Sequence, residues 1–166
     1  MTNVSLADIS IRTTLQSGDI GYVTYLHGSL YHREYGYGLP FENYVAKGLS
    51  EFYEKYNPER SRIWACEHNG RMIGFLLLMD RGDAAQLRYF LIEVAYRGMG
   101  LGSKLMNLYM DFLQECNYKR SYLWTTHELS IAASLYKRHG FTLKEEKESS
   151  AFGKLVREQR YDLVLT

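Results

Sequence analysis

Three glycines alternate within the segment VAYRGMGLGSKLM, which runs from Val94 to Met106. The segment before them, AQLRYFLIEV, predicts a strand, and the segment after them predicts a helix from about Gly100 to Cys116. Glycines so close together either adopt backbone angles that other residues avoid or let a ligand approach the main chain. The fold must therefore contain a strand that leads through a tight glycine turn into a helix. The glycines are Gly98, Gly100 and Gly102.

The rest of the chain predicts strands and helices around this turn. Asn69-Gly70 separates two apolar runs and predicts a hairpin. Pro40 and Pro58 are each predicted to lie at a break between elements. The predicted order is β-α-α-β-β-β-α-β-α-β-β, which indicates an α/β protein with a mixed sheet and helices on its faces. With 166 residues and no linker-like stretch, residues 1–166 are predicted to form a single domain.

The composition argues against several classes of partner. The formal net charge is +1, so a nucleic acid or an anionic membrane is not expected as a partner. No signal peptide or membrane-spanning stretch is evident in the sequence. The two cysteines, Cys66 and Cys116, lack metal-like spacing, so we expect reduced thiols, no metal and a cytoplasmic protein.

A strand, a glycine turn and a helix N-terminus together predict a site for phosphate oxygens. The first N–H groups of a helix lack partners within it, and glycines keep side chains away from them. The spacing G-x-G-x-G differs from the dinucleotide fingerprint, and the order Ser103-Lys104 differs from the nucleotide P-loop. A tight turn that binds no ligand is the alternative interpretation.

At these residues the sequence resembles the GNAT superfamily of N-acetyltransferases. Arg97, Gly100 and Gly102 fit the superfamily motif Arg/Gln-x-x-Gly-x-Gly/Ala after the fourth strand, and the later segment AASLYKRHGF fits a second motif around Tyr136. The resemblance covers nearly the whole chain. It implies the acyl-CoA N-acyltransferase fold, a central mixed, mostly antiparallel sheet with about four helices.

Further stretches resemble the acetyltransferases often fused to multiple-antibiotic-resistance-type (MarR) repressors. The chain is too short for that DNA-binding domain, so a stand-alone version is expected. Two positions depart from the superfamily pattern. Leu129 replaces an asparagine that helps to hold the cofactor in many members, and Val94 replaces a proline after the fourth strand.

The resemblance implies acetyl-CoA as the co-substrate. Its pyrophosphate would meet the glycine turn, and its pantetheine amides would pair with the backbone of the fourth strand. The implied cofactor-binding residues are Leu91, Ile92, Arg97, Gly98, Met99, Gly100, Leu101, Gly102 and Ser103.

The expected reaction moves an acetyl group to a primary amine of a small molecule or peptide. A protonated amine cannot attack, so a base is needed. Glu93 is the first candidate, with His27 or a water chain as alternatives, and Tyr136 is the implied acid for the leaving thiolate. The predicted substrate-binding residues are His27, Tyr31, Glu34 and Tyr35.

The sequence alone leaves two questions open. A non-catalytic acyl-CoA-binding sensor would keep the same glycine turn, although the enzyme alone needs Tyr136 together with a base. The sequence also leaves the amine, the length of the acyl group, and the choice between monomer and homodimer undetermined.

Overall fold

The computed structural model describes residues 3–166, which form four α-helices and seven strands in the predicted order. The helices are α1 (Asp19–Tyr35), α2 (Leu39–Glu54), α3 (Leu101–Glu115) and α4 (Ser130–Arg138). The strands are β1 (Ser10–Arg12), β2 (Arg62–His68), β3 (Arg71–Asp80), β4 (Ala84–Ile92), β5 (Arg120–Thr126), β6 (Thr142–Ser149) and β7 (Val156–Val164).

The strands form one mixed sheet in the order β1-β2-β3-β4-β5-β7-β6. Neighbouring strands run antiparallel except β4 and β5, which run parallel. The predicted β2–β3 hairpin is confirmed: Asn69 and Gly70 have φ angles of 51° and 72°. Two positive φ angles at a two-residue loop match the twist of the strands that it joins.

The sequence predicted that Pro40 lies at a break between elements, but the structure places it inside a helix. It lies in the first turn of α2, which begins at Leu39. A proline is compatible with this position because the first N–H groups of a helix have no partner within it. Its fixed φ angle suits the start of the helix.

Helices cover both faces of the sheet. Buried side chains of α1 and α2, including Val23, Val45 and Leu49, pack against one face. Buried side chains of α3 and α4, including Leu105 and Leu135, pack against the other. Most strands therefore have apolar residues on both sides, and β3 is almost continuously buried. This two-layer burial holds β4 and β5 between the two helical layers.

The pairing between β4 and β5 is short. It extends over three residue pairs, from Ala84↔Arg120 to Gln86↔Tyr122. Beyond Gln86 the β4 residues continue to Ile92 without a ladder to β5. The two central strands therefore separate at their carboxyl ends, and the sheet opens there.

Candidate active site

The opening between β4 and β5 is bounded by the glycine turn that the sequence singled out. Gly98 and Gly100 have φ angles of 77° and 90°, in the region that favours glycine. Gly100 is the N-cap of α3, and no side chain among residues 3–166 caps this helix end. The first N–H groups of α3 therefore remain available at the edge of the opening.

Gly102 has a different role from the two glycines before it. It lies in the first turn of α3, where a β-carbon would come 3.2 Å from Cδ2 of Leu135 and 3.6 Å from Ile92 and Phe90. The third glycine therefore permits a close approach between α3, β4 and α4. Two of the three glycines serve the turn, and the third serves packing next to the opening.

Arg97 is held at this site by two partners. Its guanidinium donates to both carboxylate oxygens of Glu34, at 2.7 and 3.1 Å. Its Nε donates to the Ile92 carbonyl oxygen at 2.9 Å. These contacts tie α1 to the end of β4 and fix a cation beside the glycine turn. Glu34 thus pairs with Arg97, whereas the sequence analysis placed it in the substrate pocket.

A groove of about 460 Å³ runs along the opening. It brings together most of the cofactor-binding residues that the resemblance implied, together with Tyr31, Glu34 and Tyr35 of α1. Met99 is not among its lining residues and packs against the core on the α3 side. The predicted residues that line the groove are Leu91, Ile92, Arg97, Gly98, Gly100, Leu101, Gly102 and Ser103.

A second, smaller cavity of about 90 Å³ lies on the α1 and α2 side of the opening. His27 and Tyr136 both line it. Tyr31, Phe90 and Leu129 line both this cavity and the groove, so the two spaces meet at these side chains. Leu129 places an apolar side chain at the junction, where the family pattern has an asparagine.

His27 is buried, with 2% of its surface exposed. Its Nδ1 lies 2.9 Å from the Val23 carbonyl oxygen, and a carbonyl can only accept, so Nδ1 carries the proton. Nε2 is then an acceptor, and it has no partner among residues 3–166. Burial lowers the pKa of His27 to about 4, so the ring is neutral at pH 7.

Tyr136 projects from α4 toward the same cavity. Its ring packs against Phe90, Phe141 and Tyr161, with centroid distances of 6.2 to 6.3 Å. Burial raises the pKa of its phenol, so the hydroxyl keeps its proton at neutral pH. A neutral phenol and a neutral imidazole that line the same cavity can provide one proton donor and one acceptor.

Glu93 lies apart from these two groups. It follows the last residue of β4, and its Oε1 accepts from Arg71 Nη1 at 2.6 Å. It is absent from the residues that line the groove or the smaller cavity. The structure therefore brings His27 and Tyr136 together and places Glu93 in an ion pair outside the two cavities.

Several polar residues near the opening were missed by the sequence analysis. Arg88 and Tyr89 line the smaller cavity, and Glu128 lines the groove. The Tyr89 hydroxyl and Glu128 Oε1 are buried without a hydrogen-bond partner in the described part of the chain. Tyr89 has a φ angle of 57°, at a register shift in the β3–β4 pairing. Strand alternation alone gives no signal for such a bulge.

Aromatic side chains close the cavity on the α1 side. Tyr31 packs against Tyr35, Tyr37 and Phe41, with ring centroids 4.8 to 5.8 Å apart. The Tyr37 hydroxyl lies 2.6 Å from Oγ1 of Thr126 at the end of β5. This contact joins the segment between α1 and α2 to the far side of the opening.

Across residues 3–166, no group of three or more histidine, cysteine, aspartate or glutamate side chains is arranged to hold a metal ion. None of the helices within this range has the length and apolar character needed to cross a membrane.

Comparisons with known proteins find similar sequences over more than half of the chain. The model of the family described as "Acetyltransferase (GNAT) family" matches residues 28–141. An uncharacterized N-acetyltransferase of Escherichia coli K12, YjgM, is 33% identical over 97 residues, which cover 56% of this chain and 58% of that protein. The chain spans between 55 and 58% of the length of the curated relatives it matches.

Solved structures share the fold over nearly the whole chain. An acetyltransferase from Streptococcus agalactiae superposes with a TM-score of 0.77 at 18% identity, covering 95% of this chain and 99% of the other. A spermidine N-acetyltransferase from Vibrio cholerae, solved with CoA and spermine, superposes with a TM-score of 0.69 at 22% identity, covering 95% and 96%. These likenesses confirm the predicted fold.

Proposed function

This chain belongs to the acetyltransferase (GNAT) family, and from that membership we propose that it transfers an acetyl group from acetyl-CoA to a primary amine. The observation that carries the proposal is the junction of two spaces at Tyr31, Phe90 and Leu129. One space has an uncapped helix N-terminus beside it, and the other holds a proton acceptor and a proton donor. A two-substrate transfer needs such a meeting point.

The groove fits acetyl-CoA by the chemistry of its lining. The free N–H groups at Leu101, Gly102 and Ser103 suit a pyrophosphate, because a helix N-terminus favours anions. The β4 edge beyond Gln86 has no ladder to β5 and can pair with pantetheine amides. When bound, acetyl-CoA supplies the acetyl group as a reactive thioester.

His27 replaces Glu93 as the proposed proton acceptor. The neutral amine donates a hydrogen bond to Nε2, which otherwise has no partner among the described residues. Because burial holds the imidazole neutral, this lone pair stays available at pH 7. As the nitrogen bonds to the acetyl carbon it becomes acidic, and His27 Nε2 takes its proton.

Tyr136 is proposed as the proton donor to the departing sulfur. Its hydroxyl is protonated at neutral pH because burial disfavours the phenolate. Tyr31 and Phe90 exclude water at the junction of the two spaces, which protects the thioester from hydrolysis.

The finer assignments are proposals of the same kind. The acceptor is a small-molecule amine or an amino group of a peptide, held on the side of His27 and Tyr31, and Tyr35 bounds the groove beside them. Glu34 acts by fixing Arg97 instead of by binding the amine. We retain the predictions of a cytoplasmic enzyme, either a monomer or a homodimer, with neither nucleic acid nor membrane as a partner.

The test is thiol release from acetyl-CoA across a panel of amines, with acetylated product identified by mass spectrometry. We expect turnover that requires both acetyl-CoA and a primary amine. Acetyl-CoA binding by calorimetry runs in parallel. Tight binding with no turnover on any amine would favour the sensor, and no binding would refute the proposed function altogether.

A further inference from the structure

A nearly buried cation lines the smaller cavity. The Arg88 side chain is 8% exposed. Its guanidinium stacks near two tyrosine rings, 4.7 Å from the centroid of Tyr89 and 5.3 Å from that of Tyr44. Burying a charge is costly unless it is paired and hydrogen-bonded.

The existing partners of Arg88 are distant. Within residues 3–166, its N–H groups make a 4.0 Å contact with Sδ of Met79 and a 4.0 Å ion pair with Oε2 of Glu51. The same Glu51 carboxylate accepts from Arg81 at 2.6 Å and from Lys55 at 3.3 Å. Three cations thus share one carboxylate, and Arg88 has the longest contact with it.

The position of Arg88 follows from the bulge in β4. Leu77 pairs with Arg88, Phe75 pairs with Leu91, and the single residue between them faces both Tyr89 and Phe90. Arg88 directly precedes the bulged residues and lines the same cavity as Tyr89 and Phe90. The cavity thereby gains a guanidinium with unused donors and a tyrosine hydroxyl without a partner in the described chain.

We propose that the acceptor amine also carries a carboxylate, which Arg88 binds, so that the substrate is a small compound of the amino-acid type. This inference rests on the proposed function. A guanidinium suits a carboxylate because its donors match both oxygens. The Tyr89 hydroxyl lies against Gly48 and close to Nη2 of Arg88, so Arg88 is the group that meets the carboxylate.

The charge and size of the cavity support this class of acceptor. Glu158 of β7 lines the cavity as well, so the lining carries charges of both signs. At about 15 Å³ for each water-sized group, a cavity of about 90 Å³ accommodates on the order of six such groups. A compact amine with a carboxylate fits these limits, whereas a polyamine would place a second cation beside Arg88.

The test compares the twenty common L-amino acids with their carboxamides, which have nearly the same shape and lack the negative charge. Binding to the CoA-saturated protein is measured by calorimetry, and turnover by thiol release. We expect at least one acid to bind tenfold or more tightly than its amide. Replacing the carboxylate by an amide leaves a larger fraction of the amine unprotonated, so the reactivity of the amine alone favours the amide. A preference for the acid in turnover would therefore point to recognition of the carboxylate.

Two variants assign the preference to a residue. Arg88→Gln should weaken acid binding tenfold or more and leave amide binding within about twofold. Arg62→Gln is the matched control, because Arg62 stacks over the Phe112 ring at 3.9 Å on the other face of the sheet and should leave both affinities unchanged.

The outcomes separate this inference from the proposed function. Equal binding of acids and amides, or binding of no acid, overturns the inference. Turnover of amines with no preference for acids overturns it while the acetyltransferase activity stands. Arg88-dependent binding of an acid without thiol release supports the carboxylate site at Arg88 and refutes the proposed acetyl transfer.

Discussion

The hydroxyl of Tyr89 occupies the space that a side chain at Gly48 would need. Gly48 lies inside α2, where alanine is normally favoured over glycine by about 1 kcal/mol. Because a β-carbon there would overlap the hydroxyl and come 2.7 Å from Nη2 of Arg88, we expect Gly48→Ala to destabilise the fold. A loss of about 1–3 kcal/mol in the free energy of unfolding is typical of such overpacking, and urea titration measures it.

Gly21→Ala is the control for this prediction. Gly21 lies in α1, and a β-carbon there would meet nothing within 4 Å. It should raise stability by a few tenths to about 1 kcal/mol through helix propensity. If Gly48→Ala stabilised the protein as much as Gly21→Ala does, the result would contradict the close approach of the Tyr89 hydroxyl to Gly48.

Gly102→Val should weaken acetyl-CoA binding tenfold or more, a loss of at least about 1.4 kcal/mol. The added side chain would press on Leu135 and enter the groove beside the first N–H groups of α3. Calorimetry with acetyl-CoA measures the loss. Gly21→Val provides a matched helical control and should keep the native affinity. If the folded Gly102→Val variant kept the native affinity for acetyl-CoA, the glycine turn would not be part of the acetyl-CoA site.

Tyr136→Phe should lower turnover on the order of 10²-fold and leave acetyl-CoA affinity nearly unchanged, because only the proton donor is lost. Steady-state kinetics and calorimetry test the two parts. Tyr161→Phe removes a hydroxyl from the neighbouring ring, which is not among the lining residues of either cavity, and should keep the native rate. A native rate in Tyr136→Phe would mean that another group protonates the thiolate.

The identity of the base is tested by paired substitutions. His27→Gln should reduce kcat on the order of 10²-fold, whereas Glu93→Gln should keep it within about threefold, because Glu93 is paired with Arg71 outside the two cavities. Circular dichroism checks that both variants fold. The reverse pattern, with Glu93→Gln losing the acidic limb of the pH–rate profile, would restore Glu93 as the base.

The stability of the protein should fall as the pH is lowered from about 6.5 to about 4. The pKa of His27 is lowered from its ordinary 6.5 to about 4 by burial, so in this window the unfolded chain binds a proton that the folded protein does not. The full contribution of this one group is on the order of 3 kcal/mol, at 1.36 kcal/mol for each pH unit.

Urea titrations at several pH values compare His27→Gln with His32→Gln. His32 lies on the same helix and is exposed. The pH dependence should shrink in the first variant and persist in the second. If it persists equally in both, His27 does not titrate as its burial implies.

The sequence alone determined the order of the elements and the place of the glycine turn. Periodicity in β4 and α3, and the Asn69-Gly70 hairpin, are local properties, because alternation and turn chemistry depend on residues a few positions apart. The spacing of the motifs likewise indicated the family, and the match of the family model to residues 28–141 established it.

Only the tertiary structure decided which polar side chains reach the cavities. Glu34 and Arg97 are 63 residues apart in sequence, and their ion pair forms because α1 packs beside the end of β4. The bulge at Tyr89 and Phe90, next to Arg88, depends on the register between β3 and β4. Such contacts are set by burial and pairing between distant segments, which the pattern along a single segment does not encode.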